Sequence, residues 1–273
     1  ITILAEQPGD PDNYLERKDQ LHPRKIPLIA IPTTSGTGSE ATHFATMYKN
    51  KKKYSLTHSS LVPDYVIIDP SLTFSLPPYT TACTGMDALA QAIESYWSIH
   101  STEESKQYAK EAITLALAHL ENAVINPTPE ARIGMSKAAN LAGKAINISF
   151  TTACHAISYP ITSYFNVPHG HAVALTLPEM IIFNEKVNRK DCTDQRGVAY
   201  VAKTVDELCF LFDVSTADDI KKKIEDFMDQ IGLERALSKI GISSSQDIEL
   251  IIKNGFNPQR VGNNPRLMTK PEM

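Results

Sequence analysis

The spacing of apolar positions changes character partway along the chain. Continuous apolar runs at residues 27–32 and 65–69 are bounded by proline or aspartate, which is typical of short buried strands in a parallel sheet. After Pro77 and Pro78, most segments instead repeat their apolar residues with the period of an amphipathic helix. Helices are predicted over residues 79–98, 102–124, 129–149, 170–184, 194–212, 216–231 and 246–254.

This change predicts an α/β portion over residues 1–78, followed by an all-helical domain over residues 79–273. Residues 8–24 are rich in Pro, Gly and charged side chains and are predicted to form a surface loop. The lysine-rich residues 49–53 are predicted to form a turn. The first residues, from Ile1 onward, resemble the tail of a helix, and we expect the sequence to be trimmed at both ends.

Composition excludes several classes of function. The 273 residues are 42% hydrophobic and 21% charged, which is ordinary for a soluble globular protein. A net charge of −4 gives no basic surface for nucleic acid or an anionic membrane, and no apolar run approaches the roughly 20 residues of a bilayer span. No two cysteines form a CxxC pair, so we predict reduced thiols and a cytoplasmic location.

A carboxylate and several histidines are candidates for a metal site. Asp87 and Gln91 share one face of a predicted helix among Ala and Ile, where a carboxylate needs a partner. An interaction with the helix dipole is the simpler interpretation of Asp87. His155 and His169 would complete an O, N, N ligand set for a divalent metal, although lone histidines are more often core residues. His171 is either an outer group or a surface residue.

The polar loop over residues 33–39 follows the first predicted strand and contains only small side chains before Glu40. Small residues allow backbone N–H groups to approach a phosphate or a ribose. The loop matches neither a P-loop nor a GxGxxG motif, so an ordinary turn is an equally open interpretation. The lysines at 51–53 are typical of a solvated turn, although one of them could reach a phosphate.

Together these segments resemble the iron-containing alcohol dehydrogenase family, in family order and over nearly the whole chain. The resemblance implies a dehydroquinate synthase-like fold, in which an α/β nucleotide-binding domain precedes an all-helical metal domain. It also implies hydride transfer between NAD or NADP and a small alcohol or aldehyde, with Fe(2+), or alternatively Zn(2+), as the metal. The motifs that carry the resemblance occupy residues 31–40, 68–70, 76–78, 84–94, 168–170 and 263–266.

The resemblance also implies roles for individual residues. Asp87, His155 and His169 match metal ligands, and Gln91 occupies the position of a further family histidine, either as a ligand or beside a bound water. Tyr159 stands where many members have a histidine near the nicotinamide, and it is the candidate catalytic proton relay. The positions that match cofactor contacts are Thr33, Thr34, Gly36, Thr37, Thr42, Thr46 and Lys53.

The sequence departs from the family in its cofactor region and resembles one branch more closely. The Gly-Gly-Gly-Ser pyrophosphate loop is absent, and we expect that part of the cofactor domain to precede Ile1. Residues 145–148, 151–160 and 168–172 resemble the branch that reduces phosphonoacetaldehyde to 2-hydroxyethylphosphonate. A phosphonate needs cationic or hydroxyl partners, and the nearby candidates are Thr151, Thr152, Ser158 and Lys144.

Two other classes of function stay open at this point. The chain could be a metal-free, non-catalytic relative, or a non-redox enzyme that resembles dehydroquinate synthase. We expect a small-molecule substrate and a homo-oligomer, with neither nucleic acid nor membrane as a partner.

Overall fold

The computed structural model describes residues 2–16 and 18–272. In the N-terminal portion of these residues, β1 and β4 pair in parallel, and β2 and β3 form an antiparallel hairpin. The elements of this portion are α1 (Thr2–Ala5), α2 (Pro11–Leu15), β1 (Ile29–Ala30), β2 (Phe44–Lys49), β3 (Lys52–Thr57) and β4 (Tyr65–Val66).

The parallel pair confirms both predicted strands, although each is shorter than its apolar run. The hairpin was not predicted beyond its turn, where Asn50 and Lys51 both have positive φ, as a tight two-residue hairpin loop requires. The prediction of a plain loop over residues 8–24 was incomplete, because Asp10 caps the short helix α2 and Pro11 starts it.

The helices of the remaining chain contain the main core, which confirms the predicted helical domain in character. In chain order they are α3 (Pro78–Trp97), α4 (Glu103–Ile125), α5 (Pro129–Ser149), α6 (Ala153–Phe165), α7 (His169–Ala174), α8 (Leu177–Glu185), α9 (Val198–Leu211), α10 (Ala217–Gln230), α11 (Ser245–Gly255) and α12 (Pro258–Val261).

One helix prediction was wrong in detail, and the helix that precedes it was missed. The segment predicted as one helix over residues 170–184 is two helices, because the chain turns at Leu175 and Thr176. Helix α6 was not predicted, because Pro160 lies inside it and proline lacks the N–H that a helix interior uses.

Helix α3 runs through the centre of the helical domain and packs on α4, α5 and α7. Its approach to α7 depends on Gly170, where an added Cβ would lie only 1.9 Å from the carbonyl oxygen of Cys83. A side chain at this position would push the start of α7 away from α3. Within the described part of the chain, no helix combines the length and apolar character needed to cross a membrane.

Candidate metal centre and adjoining cavity

Three helices bring the predicted ligands Asp87, His155 and His169 into one cluster. Asp87 lies on α3, His155 on α6, and His169 is the first residue of α7. Their ligand atoms lie within 4.8 Å of one another. The Oδ1 atom of Asp87 is 3.3 Å from Nε2 of His155 and 3.8 Å from Nε2 of His169. Residues that are 82 positions apart in sequence therefore converge on a site small enough for one ion.

Hydrogen bonds behind both histidines orient their lone pairs toward Asp87. Nδ1 of His155 donates to the carboxylate of Glu94. The hydroxyl of Ser158 donates to the carbonyl of His155 at 2.8 Å, so it can only accept from Nδ1 of His169, 3.3 Å away. Each ring then carries its proton on Nδ1, which leaves the Nε2 lone pair free to bind a metal.

Two buried atoms of this cluster lack hydrogen-bond partners in the part of the chain that the structure describes, and their positions show whether a cation would fit. Oδ1 of Asp87 and Nε2 of His155 are buried and have no hydrogen-bond partner among the described residues. Their lone pairs face each other, which is unfavourable unless a cation or a proton lies between them. A carboxylate oxygen and two imidazole nitrogens are a common ligand set for Fe(2+) or Zn(2+), so these residues fit the metal that the sequence predicts.

Gln91 stands one helical turn after Asp87 and has a double role in this arrangement. Its amide nitrogen donates to Oδ2 of Asp87 at 3.1 Å, which fixes the carboxylate. Its Oε1 atom is buried and lacks a hydrogen-bond partner in the described structure. An amide oxygen in this position is available as an additional neutral ligand, so the predicted role of Gln91 stays a prediction with support from its geometry.

The two histidines of the cluster have pKa values that are shifted in opposite directions. Burial lowers the pKa of His155, but the carboxylates of Glu94 and Asp87 outweigh burial and raise that pKa to about 9. Burial lowers the pKa of His169 to about 4, despite the carboxylate of Asp87. Burial raises the pKa of Asp87, but the two histidines and Gln91 together lower it by more. The net effect is a lowered pKa, so Asp87 is a carboxylate.

Glu94 is a functional residue that the sequence reasoning missed. Its side chain is fully buried and accepts hydrogen bonds at 2.8 Å from the hydroxyl of Thr152 and from the N–H of Cys154, in addition to the bond from His155. The signal was present, because Glu94 follows Asp87 by seven residues and therefore lies on the same face of an apolar helix.

His171 is buried outside this cluster. One ring nitrogen is 2.7 Å from the carbonyl oxygen of Glu234, and the other is 3.1 Å from the hydroxyl of Tyr79. These contacts join α7 to the start of α3 and to the segment that follows α10. They give His171 a role in packing, so it is neither a surface residue nor an outer group of the metal cluster.

Tyr159 lies beside the metal cluster, one residue after Ser158 on α6. Its ring is stacked on the ring of His169 at a centroid distance of 5.8 Å, and Nζ of Lys53 lies 3.1 Å from its centroid. Burial raises the pKa of Tyr159 to about 12, although the charge of Arg260 acts in the opposite direction. The hydroxyl is therefore a proton donor at neutral pH.

A cavity of about 680 Å³ connects the metal cluster to the polar loop that precedes β2. Two of the predicted cofactor residues do not line it: Thr33 is exposed, and Gly36 packs against Thr84 of α3. The cofactor roles of all seven residues stay predictions. Those that line the cavity are Thr34, Thr37, Thr42, Thr46 and Lys53.

Among the candidate partners for a phosphonate, only Thr151 lines this cavity. Thr152 and Ser158 are hydrogen-bonded to groups of the metal centre, and Lys144 lies over a tyrosine ring on α4. The cation beside Thr151 is Arg260, which the sequence reasoning did not select. Nη1 of Arg260 donates to the hydroxyl of Thr151 at 3.2 Å.

Two protein-family models match this chain, one over each of its two portions. Residues 81–273 match the family model described as Fe-containing alcohol dehydrogenase family, C-terminal. Residues 1–70 match the model described as iron-containing alcohol dehydrogenase. These matches cover both portions of the chain.

Individual relatives are aldehyde reductases and alcohol dehydrogenases. A phosphonoacetaldehyde reductase of Streptomyces viridochromogenes is 39% identical over 68% of this chain and 48% of its own length. Long-chain-alcohol dehydrogenase 1 of Geobacillus thermodenitrificans is 33% identical over 95% of this chain and 65% of its own length. The chain therefore spans between about half and two thirds of these relatives.

A solved structure supports the same fold. Sulfoacetaldehyde reductase from Bifidobacterium kashiwanohense, solved in complex with NAD+, superimposes with a TM-score of 0.85 at 30% identity. The superposition covers 99% of this chain and 69% of that protein.

Proposed function

The chain belongs to the iron-containing alcohol dehydrogenase family, and from this premise we propose that it is a metal-dependent oxidoreductase acting on a small alcohol or aldehyde with NAD(P)(H). The observation that carries the proposal is the pair of facing lone pairs on Asp87 and His155, at the end of an open cavity. In a metal-free relative a proton on Nε2 of His155 would fill this gap, as its raised pKa allows, but the second histidine, His169, would have no role beside Asp87 and the cavity. The relatives are dehydrogenases and reductases, so neither the metal-free nor the lyase alternative is favoured.

Different residues of the chain bind the metal and donate the proton in the proposed reaction. When bound, Fe(2+) or Zn(2+) supplies a Lewis acid at the substrate oxygen, and NAD(P)H supplies the hydride. Asp87, His155 and His169 hold the cation, and Gln91 orients Asp87 from behind. The hydroxyl of Tyr159 donates a hydrogen bond to the carbonyl oxygen of the substrate and then its proton to the alkoxide oxygen that hydride transfer produces, which yields the alcohol. A proton from solvent restores the hydroxyl of Tyr159.

The names of two similar proteins support the choice of the first substrate to be tested. Two relatives are named for short aldehydes that carry a phosphonate or a sulfonate. We therefore place phosphonoacetaldehyde first among the substrates to be tested, with NADH and NADPH in separate arms. The proposal includes a cytoplasmic location and a homo-oligomer.

The experiment is an aldehyde reduction assay on the full chain after removal of metal with a chelator. We expect activity to disappear with the metal and to return with Fe(2+) or Zn(2+), in the wild type but not in Asp87→Asn. Asp194→Asn is the matched control, because Asp194 is a buried aspartate that pairs with Arg196 away from the cavity. Undiminished activity in the stripped protein would contradict the proposal.

A further inference from the structure

Arg260 occupies the boundary between the active-site cavity and a second cleft. The cavity of about 680 Å³ contains the metal cluster, and the cleft has a volume of about 1210 Å³. Arg260, Lys53, Tyr159 and Phe44 line both of them. A molecule that moves from the cleft toward the metal cluster therefore passes the guanidinium group.

The guanidinium group of Arg260 has unused capacity for hydrogen bonds. Its side chain is half-buried and forms no ion pair with any described carboxylate. One of its N–H groups donates to Oγ1 of Thr151, which is itself buried. Since Thr151 accepts this bond, its own hydroxyl hydrogen is available to donate to a ligand. Together the two residues present several donors and a positive charge to the cavity.

The charges along the cleft have one predominant sign. The only carboxylate among its described lining residues is Glu16, and this group is paired with Lys18 at 2.5 Å. The chain as a whole has a net charge of −4, so the positive charge is concentrated locally. Such a cleft attracts anions toward the cavity. The basic residues that line it, besides the paired Lys18, are Lys51, Lys53, Lys253 and Arg260. Burial lowers the pKa of Lys53, so the unpaired positive charge lies mainly on the other three.

We propose that Arg260, held in place by Thr151, binds a tetrahedral oxyanion at the far end of the aldehyde substrate. The substrate class is a two-carbon aldehyde with a phosphonate or sulfonate group, and this inference rests on the proposed function. The planar guanidinium can donate two parallel hydrogen bonds to such a group. Arg260 is thus a specificity-determining residue, because it selects anionic aldehydes over neutral ones.

The first test compares substrates in the full chain with its metal bound. The measured quantity is the ratio of kcat/KM for phosphonoacetaldehyde or sulfoacetaldehyde to kcat/KM for propanal. Loss of charge-assisted hydrogen bonds in Arg260→Met should lower this ratio by about 10- to 100-fold. Arg260→Lys should recover part of the loss, because it restores the charge without the fork of donors. Lys144→Met is the matched control and should leave the ratio unchanged, because Lys144 lies on Tyr108 away from both cavities.

The second test measures binding without turnover and separates this inference from the proposed function. Titration calorimetry with ethylphosphonate and ethanesulfonate should show binding to the wild type that is weakened at least about tenfold in Arg260→Met. Metal content is measured in both proteins, so that loss of metal does not imitate loss of Arg260. The more tightly bound anion identifies the substrate group. This result would support the anion site even if no aldehyde were reduced.

The inference is overturned by either of two results. One is reduction of propanal as efficiently as both anionic aldehydes by the wild type, which would leave the proposed function intact. The other is equal binding of ethylphosphonate and ethanesulfonate by the wild type and Arg260→Met.

Discussion

Replacement of Glu94 by glutamine tests whether the buried carboxylate keeps the proton of His155 on Nδ1, so that Nε2 is free to bind a metal. Thr152 accepts a hydrogen bond from Nε1 of Trp97, so its own hydroxyl must donate to Glu94. The N–H of Cys154 donates to the same carboxylate oxygen. These two fixed donors require an oxygen at this position, so the new amide group of Glu94→Gln must face His155 with its nitrogen.

That orientation places a donor opposite Nδ1 of His155. The ring then has to carry its proton on Nε2, which removes the lone pair that faces Asp87. Loss of such a supporting partner typically weakens metal affinity by about 10- to 100-fold. This factor corresponds to about 1.4 to 2.7 kcal/mol of binding free energy.

The assay is titration calorimetry of the metal-stripped protein with Zn(2+), which avoids oxidation of iron during the measurement. We expect Glu94→Gln to bind zinc about 10- to 100-fold more weakly than the wild type. The matched control is Glu207→Gln, because Glu207 also accepts hydrogen bonds, from Lys106 and Tyr96, but lies on α9 away from the cluster. Equal zinc affinity in Glu94→Gln and the wild type would refute the role of Glu94.

Substitutions at three further positions probe separate parts of the site. Gln91→Ala should weaken zinc binding at least about tenfold, whereas Gln91→His should restore it through a stronger ligand; unchanged affinity in Gln91→Ala would exclude this residue from the centre. Tyr159→Phe keeps the ring contacts and removes only the hydroxyl, so kcat should fall about 100-fold or more at unchanged metal content; an unchanged kcat in steady-state assays would remove Tyr159 from the mechanism. Gly170→Ala forces a Cβ against the carbonyl of Cys83, so calorimetric unfolding should show a loss of about 1–3 kcal/mol together with weaker zinc binding; an unchanged Tm would show that α7 is not held by this contact.

The candidate metal ligands were identified chiefly from the resemblance to the family, because the pattern around them alone left other interpretations open. Asp87 interrupts an apolar helical face, and His169 follows a proline at the start of a helix. The hydrophobic period also predicted most helices of the C-terminal domain within a few residues. Pro160 concealed α6, because a proline inside a pattern ordinarily ends a helix.

The residues that support the ligands were harder to predict, because their roles depend on long-range contacts. Glu94 meets His155 across 61 positions, and Arg260 meets Thr151 across 109. Lys144 was selected because it is close in sequence to the histidines, but its side chain points to another helix. Proximity in sequence is a poor guide to such contacts when the site is assembled from several helices and a C-terminal segment.

The most direct test of the central claim is elemental analysis of the protein purified without oxygen. We expect about one equivalent of iron or zinc per chain, held by the cluster around Asp87. We also expect Asp87→Asn to lose this metal and Asp194→Asn to retain it. Absence of metal from the wild type after purification with added iron and zinc, or full occupancy in Asp87→Asn, would contradict the account.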